Sequence, residues 1–366
     1  MNKRKNFKNL YIFIPLIIIM IFSFLNMFNA RLLSNSYNMH LIKQIIWYLL
    51  GFFSLIIINK INTQKLFKYS FLLYLISIIL LIAVLIFGQE INGAKAWFKL
   101  KYFSFQPSEF TKLTLAIYLS KIISEYKMQN TKDQILLIIK VILITLIPSI
   151  LVFLEPDTGA IIIYILISFF MLLSTKINKK FFIPLLITGI IILSLFFYFY
   201  FFNPDILINI LGTSFFYRVE RLLSFTNGNS LQLENALVTI ASSSILGSGL
   251  NSVNLYIPEA PTDFIFAFTI GNFGYLSAFI ILLSYLIIDI YLVYLLFNTK
   301  IKINKLFLIS FIAIFFFQQF ENILMNIGLM PIMGIPLPFL SYGGTTILIY
   351  FIFIGIVLKN NKTESV

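Results

Sequence analysis

Ten apolar stretches, each of about the length that crosses a lipid bilayer, dominate this sequence. A bilayer core of about 30 Å needs roughly 20 apolar residues in a helix. The stretches lie at residues 11–28, 41–58, 70–88, 108–124, 134–153, 158–174, 181–202, 263–297, 305–328 and 342–358. They predict an all-α polytopic membrane protein with ten transmembrane helices, of which the eighth is long enough to be tilted or broken.

The composition excludes several classes of protein. Charged residues make up 11% of the chain, whereas a soluble domain averages roughly 25%, so a soluble enzyme and a disordered tail are excluded. The chain has no cysteine and one histidine, which excludes disulfides, cysteine-ligated metals and two-histidine zinc sites. His40 lies beside the end of a predicted span and is a poor member of a catalytic triad. Enzyme chemistry must therefore use carboxylates, Lys, Arg, Tyr or Ser and Thr hydroxyls.

Basic residues are concentrated on one side of the predicted membrane. The formal net charge of +13 would suggest nucleic acid in a soluble protein, but in this apolar chain we expect no nucleic-acid partner. If the N-terminus is inside, every inner segment carries a basic cluster, as the positive-inside rule expects. These clusters are Lys3/Arg4/Lys5/Lys8, Lys60/Lys65/Lys68, Lys121/Lys127/Lys132, Lys176/Lys179/Lys180, Lys300/Lys302/Lys305 and Lys359/Lys362. Both termini are therefore predicted to be cytoplasmic.

One long connection, residues 203–262, joins the seventh and eighth spans on the outer side. A loop of this length is usually functional or disordered, and its apolar, helix-like residues 235–246 argue against disorder. Most acidic residues also fall on the outer side. We expect residues 1–366 to form one membrane domain with its chemistry at the outer face.

The first candidate constellation precedes and begins the fourth span. Lys95 and Trp97 lie in the segment before it, and Pro107-Ser108 has the composition of a helix start, with Ser108 as N-cap or Pro107 in the first turn. Glu109 and Lys112 are three residues apart and share a helix face. This pair is either a capping interaction with a stabilising ion pair, or a cation held by its carboxylate and directed at an anionic head group.

Two further outer segments carry charge. Asp157, in a very short turn with Glu155, either caps the sixth helix or belongs to the site. Arg218 and Arg221 lie one helical turn apart, a spacing that suits a bidentate anion clamp. The alternative for the two arginines is a solvated or interfacial helix face.

The segment before the eighth span contains Glu259, Thr262 and Asp263. Thr262 or Asp263 is in position to cap the long helix. Asp263 also heads a hydrophobic run, and a carboxylate in a cleft at the membrane surface can act as a general base. From the residues alone, capping and catalysis remain equally open.

An apolar, uncharged segment rich in Pro and Gly lies before the last span, at residues 331–344, and includes Ser341. It cannot be helical, and irregular backbone at membrane depth survives only inside protein or along a cavity. A re-entrant loop is therefore predicted. Asp289 and Glu321 lie inside predicted spans, where ionisable residues are functional candidates by default.

These motifs, in this order, resemble the SEDS family, the RodA/FtsW/SpoVE proteins of bacterial cell-wall synthesis. The resemblance covers nearly the whole chain and rests on residues 92–97 with 105–112, 155–159, 217–225, 258–266 and 330–344. It implies a peptidoglycan glycosyltransferase of the bacterial cytoplasmic membrane that polymerises lipid II at the outer face. It also implies a class B penicillin-binding transpeptidase as partner. A divalent cation is left open as a cofactor, and no metal site is predicted.

The resemblance also implies roles for residues. Asp263 stands in the family's Pro-Glu-x-x-Thr-Asp-Phe motif and becomes the catalytic base. Binding of the lipid II pyrophosphate and head group is expected of Lys112, Arg218, Arg221, Glu109, Trp97 and Lys95. Supporting roles are expected of Glu259, Thr262, Asp157, Glu321 and Ser341. The chain has Gly271-Asn272 where the family commonly has two glutamates, and Glu321 is a candidate to replace the missing carboxylate.

Two other functions remain open from the sequence. One is a flippase for the lipid-linked precursor, which would need polar residues traversing the membrane. The other is a non-catalytic scaffold for the transpeptidase, which the Gly271-Asn272 departure keeps open. The chain length is more similar to RodA than to FtsW, which favours cell elongation over division.

Overall fold

The computed structural model describes residues 2–91, 94–99, 103–184, 231–251 and 256–364, with scattered positions between 187 and 209. Most of the predicted seventh span and residues 210–230 of the long connection, including Arg218 and Arg221, lie outside the described residues. The ten-span count therefore stays a prediction. We number the described helices and strands in chain order.

The described chain is mainly helical. Its helices are α1 (Asn2–Ala30), α2 (His40–Lys60), α3 (Thr63–Lys68), α4 (Ser70–Phe87), α5 (Pro107–Glu125), α6 (Thr131–Leu154), α7 (Thr158–Leu173), α8 (Leu231–Ala241), α9 (Ile265–Asn298), α10 (Lys302–Asn326) and α11 (Gly344–Glu364). Every predicted span except the seventh overlaps one of these helices. Seven of the described helices are long and apolar enough to cross a membrane, so the chain is a polytopic membrane protein.

The prediction of an all-α fold is wrong in one respect. A small antiparallel sheet follows α4, with strands β1 (Gln89–Ile91), β2 (Ala94–Lys99) and β3 (Ser104–Phe105) in the order β1-β2-β3. Ile91 pairs with Ala94. Asn-Gly, the strongest short hairpin signal, stands between these residues in the sequence. Short strands outside the spans were missed because the apolar runs dominate the pattern.

The helices define two ends of the bundle. We call the end where α4 finishes and α5 begins the upper end, and the opposite one the lower end. Lysines at the lower end hydrogen-bond to backbone carbonyls across helices: Lys302 Nζ to Ile123 O at 2.9 Å, and Lys359 Nζ to Asn59 O at 2.6 Å. These ammonium groups hold neighbouring helix ends together.

The segment between α10 and α11, residues 327–343, is irregular, and we call it the apolar loop. Residues 337–341 are buried, whereas Leu329 and Gly334 are exposed. Leu337, Phe339 and Leu340 are each at most 1% exposed. Buried tyrosines bind its carbonyls: Tyr285 donates to Pro338 O at 2.5 Å, and Tyr48 donates to Phe339 O. These two carbonyls are thus satisfied by side chains inside the protein, and the predicted irregular segment is confirmed.

Helix α9 is broken at Gly274, as its length suggested. Gly274 has φ 72°, a conformation that favours glycine. The carbonyls freed above the break accept hydrogen bonds from residues 248 and 249, with Gly249 N at 2.7 Å from Asn272 O. Below the break, Tyr275 N donates to Ser244 O at 3.2 Å. Because a Cβ at Gly274 would lie 2.1 Å from Ile245 O, only glycine fits this contact.

Candidate functional site

Asp263 lies in a turn at the upper end, residues 256–264, which we call the Asp263 turn. The backbone amides of Thr262, Asp263 and Phe264 all point at one carbonyl, that of Glu259, at 3.1–3.2 Å. Glu259 itself has φ 55°, which is uncommon for a residue with a Cβ. The turn is therefore a tightly wound structure that leads into α9.

Two asparagines of α10 fix the main chain of Asp263. Asn322 Nδ2 donates to Asp263 O at 2.8 Å, and Asn326 Nδ2 donates to the same oxygen at 3.0 Å. Asn322 Nδ2 also donates to Ile335 O of the apolar loop at 2.8 Å. The sequence analysis did not assign this holding role, although polar residues four apart in an apolar span were a signal for it.

Ser341 ties the Asp263 turn to the apolar loop. Its Oγ donates to Thr262 O at 2.6 Å and accepts from Leu337 N at 2.9 Å. Tyr342 N adds a bond to Pro261 O at 2.8 Å. The two segments, 63 residues or more apart in sequence, therefore form one unit.

The expected capping of α9 by Thr262 or Asp263 is wrong. The N-cap position is Phe264, and it makes no side-chain capping bond. Thr262 Oγ1 instead donates to Glu259 Oε2 at 3.0 Å, inside the turn. Asp263 is partly exposed, and its Oδ2 lies 3.6 Å from the position a Cβ would take on Gly334. Gly334 thus leaves space beside the carboxylate.

Asp157 joins the starts of α5 and α7, and the predicted cap is confirmed. Its Oδ1 accepts from Ala160 N at 3.1 Å, while its Oδ2 accepts from Gln106 Nε2 at 2.9 Å and from Ser108 Oγ at 3.1 Å. Of the two predicted starts for α5, Pro107 in the first turn is confirmed, because the N-cap is Gln106.

The start of α7 also borders the apolar loop. A Cβ on Gly159 would lie 2.8 Å from Ile335 Cγ1 and 3.5 Å from Met333 O. The loop residues 333–335 therefore contact the start of α7 and also border Asp263, through Gly334.

Glu109 and Lys112 form the expected ion pair, and it is buried. Lys112 Nζ lies 2.6 Å from Glu109 Oε1, with the two side chains 4% and 6% exposed. Buried ion pairs survive only with close geometry, since desolvation is costly. The lysine ammonium is thus held inside the bundle, one turn below the start of α5.

The other predicted binding residues are distributed around the upper end. Trp97 and Lys95 lie on β2, and Lys95 Nζ donates to Ile86 O of α4 at 3.0 Å, which ties the sheet to that helix. Glu321 is fully buried on α10. Among the described residues, no three His, Cys, Asp or Glu side chains lie close enough to hold a metal ion.

Glu155 lies between α6 and α7 and is fully buried. Neither of its oxygens has a hydrogen-bond partner among the described residues. Burial, with a smaller contribution from the charge of Asp157, raises the pKa of Glu155 to about 9. The folded protein therefore keeps this carboxyl protonated at neutral pH.

We predict that stability falls as pH rises from about 4.5 to 9. Above the ordinary pKa of 4.5 the unfolded chain releases the Glu155 proton while the folded chain retains it, so deprotonation favours unfolding. Glu155→Gln should remove this slope. Thermal unfolding in detergent at pH 5 and pH 8 measures it, with Asp133→Asn at the lower end as control. Equal slopes in Glu155→Gln and wild type would contradict the assignment.

Comparison with known proteins shows which family this chain is similar to. The family described as "Cell cycle protein" (FtsW/RodA/SpoVE) matches residues 5–365. A probable peptidoglycan glycosyltransferase FtsW of Wigglesworthia glossinidia brevipalpis is 32% identical over 345 residues, covering 90% of this chain and 85% of the relative. The FtsW of Bacillus subtilis is 31% identical over 290 residues, covering 77% and 71%.

Two solved structures share the fold. A chain from a study of how a peptidoglycan synthase complex coordinates polymerization and crosslinking matches with a TM-score of 0.77 and 25% identity, over 96% of this chain and 97% of that chain. The rod shape determining protein RodA of Thermus thermophilus matches with a TM-score of 0.70 and 23% identity, over 96% of each chain. The protein is thus a polytopic membrane protein of a cell-wall synthesis class, and it belongs to the FtsW/RodA/SpoVE family.

Proposed function

We propose that this protein is a peptidoglycan glycosyltransferase that polymerises lipid II, with Asp263 as the general base. The observation that carries the proposal is a partly exposed carboxylate on a turn whose backbone is fixed by Asn322, Asn326 and Ser341. A base must be held in a fixed position relative to the proton that it removes. The names of the relatives support the same activity.

The reaction that suits this site is a displacement at a sugar carbon. Asp263 takes the proton from the 4-hydroxyl of the acceptor sugar, and the resulting oxygen attacks the anomeric carbon of the donor. The bond from that carbon to the phosphate oxygen breaks, and undecaprenyl pyrophosphate leaves with the electron pair. Lys112, Arg218 and Arg221 are proposed to stabilise the charge of the pyrophosphate, and Glu109, Trp97 and Lys95 to contact the head group.

The proposal includes the orientation of the protein in the membrane and its protein partner. The lower end, with its lysines, is cytoplasmic together with both termini, and the Asp263 turn lies at the outer face of the bacterial cytoplasmic membrane. Ten spans and the long extracytoplasmic connection 203–262 complete the topology. A class B penicillin-binding protein is the proposed partner, supported by the matched chain of a peptidoglycan synthase complex. The polymer serves cell elongation or division.

Incubation of the purified chain with labelled lipid II, alone and with its transpeptidase, tests the proposal. Glycan chains resolved by gel electrophoresis are the expected product. They should also form when the active site of the transpeptidase is inactivated, because this chain makes the polymer. A flippase would instead move lipid II across vesicle membranes without joining it. A scaffold would produce no polymer in either preparation, which would contradict the proposal.

A further inference from the structure

A second carboxyl, that of Glu321, lies beside the Asp263 turn. Glu321 precedes Asn322, the residue that binds both Asp263 O and Ile335 O. The charge of Asp263 acts on Glu321. The charges of the two acids therefore interact, although the acids come from different segments of the chain.

The surroundings of Glu321 are unusual for an acid. The residue is 0% exposed. Neither carboxyl oxygen makes a close hydrogen bond to a described residue, although the backbone of Met333, next to Gly334, acts on the carboxyl as a donor. A buried carboxylate with so little hydrogen bonding and no cation is strongly disfavoured. A neighbouring negative charge adds to that cost.

The other titratable groups on helices that pack against α10 are engaged elsewhere or carry no positive charge toward Glu321. Lys112 is paired with Glu109 on α5. Lys121 on α5 and Lys359 on α11 donate to carbonyls at the lower end, those of Lys68 and Asn59. The other groups whose side chains are described are acids and tyrosines, which carry no positive charge. They include Tyr164, which donates to Ser108 O, Tyr285, which donates to Pro338 O, Asp289, which accepts from Gln319, Tyr350 and Glu234. No described cation is thus in place to stabilise an ionised Glu321.

We infer that Glu321 and Asp263 form a carboxyl pair that holds one proton, with Glu321 as the member that carries it. Asp263 is the more exposed of the two, so the single negative charge of the pair is placed on the residue that faces the substrate. Glu321 is then a positioning residue: it stays neutral, and its neutrality allows Asp263 to remain an ionised base. This inference rests on the proposed role of Asp263 in glycosyl transfer.

In this arrangement the proton transferred in the reaction goes to Asp263 and not to Glu321. The acceptor O–H bond breaks and an Asp263 O–H bond forms, so the pair becomes neutral while the glycosidic bond is made. Asp263 then returns the proton to solvent through its exposed side. Glu321 keeps its proton throughout the cycle.

Infrared difference spectroscopy of the full chain in detergent tests the inference without an activity assay. A protonated carboxyl has a C=O stretching band that a carboxylate lacks. At neutral pH we expect wild type to show such a band that Glu321→Gln removes. Asp289→Asn, an acid-to-amide change at a partly buried carboxyl of α9, should leave that band in place.

The link to Asp263 is tested by titrating the same band. In Asp263→Asn the neighbouring charge is gone, so Glu321 should lose its proton at a lower pH than in wild type. The absence of a band that depends on Glu321 would overturn the inference, and so would an unchanged titration in Asp263→Asn. If the chain makes no glycan but the band behaves as described, the proposed function fails and the carboxyl pair stands.

Discussion

Replacing Asp263 with Asn is expected to reduce glycan synthesis by about 10²–10⁴-fold, the range that general acid–base catalysis contributes. The amide cannot accept a proton from the acceptor hydroxyl. The hydrogen bonds from Asn322 and Asn326 should persist, because they go to the main-chain carbonyl of residue 263. Initial rates of polymer formation from labelled lipid II, at matched protein amounts, measure the effect.

Asp133→Asn is a matched control for this substitution. Asp133 lies at the lower end as the third residue of a capping box with Asn130. The amide oxygen of Asn can accept the same backbone hydrogen bonds, so the change should cost little stability and leave the rate unchanged. Equal rates for Asp263→Asn and wild type would eliminate Asp263 as the base. Equal loss in Asp133→Asn would show that the effect is a general response to losing an acid.

Replacing Lys112 with Met is expected to destabilise the protein by about 3–5 kcal/mol, since it leaves Glu109 charged and unpaired in a buried position. Only 4% of the Lys112 side chain and 6% of the Glu109 side chain are exposed, so water cannot replace the lost partner. Thermal or denaturant unfolding in detergent measures the change in the free energy of unfolding.

The double variant Glu109→Gln/Lys112→Met distinguishes the energy of the ion pair from the contributions of its two side chains. Removing both charges removes the unpaired ion, so the double variant should recover most of the stability that Lys112→Met loses. If the two single losses simply add, the buried pair does not exist as described. The stable double variant also allows lipid II polymerisation to be measured without the Lys112 ammonium.

The spans and their local signals could be predicted from the sequence because they depend on near neighbours. Apolar runs located every described membrane helix, and the alternatives considered for Asp157 and for the start of α5 included the observed cap and the observed Pro107. The irregular apolar loop followed from its Pro and Gly content. Each of these signals acts over one or two helical turns.

The construction of the site could not be predicted, because its contacts join distant parts of the chain. Asn322 and Asp263 are separated by 59 residues, and Ser341 and Thr262 by 79. Only packing of α10 and the apolar loop against the Asp263 turn brings them together. The alternative that Thr262 or Asp263 caps α9 was wrong for a local reason: the N-cap position falls at Phe264, and the Thr262 hydroxyl binds Glu259 inside the turn.

Photo-crosslinking of lipid II tests most directly the claim that glycosyl transfer takes place at the Asp263 turn. The probe is lipid II with a photoreactive group on its disaccharide, bound to the full chain in membranes and mapped by mass spectrometry of the labelled peptides. We predict labelling of residues 256–264 or 331–343, reduced by excess unlabelled lipid II. Labelling confined to the lower end, at residues 60–68 or 300–305, would contradict the account.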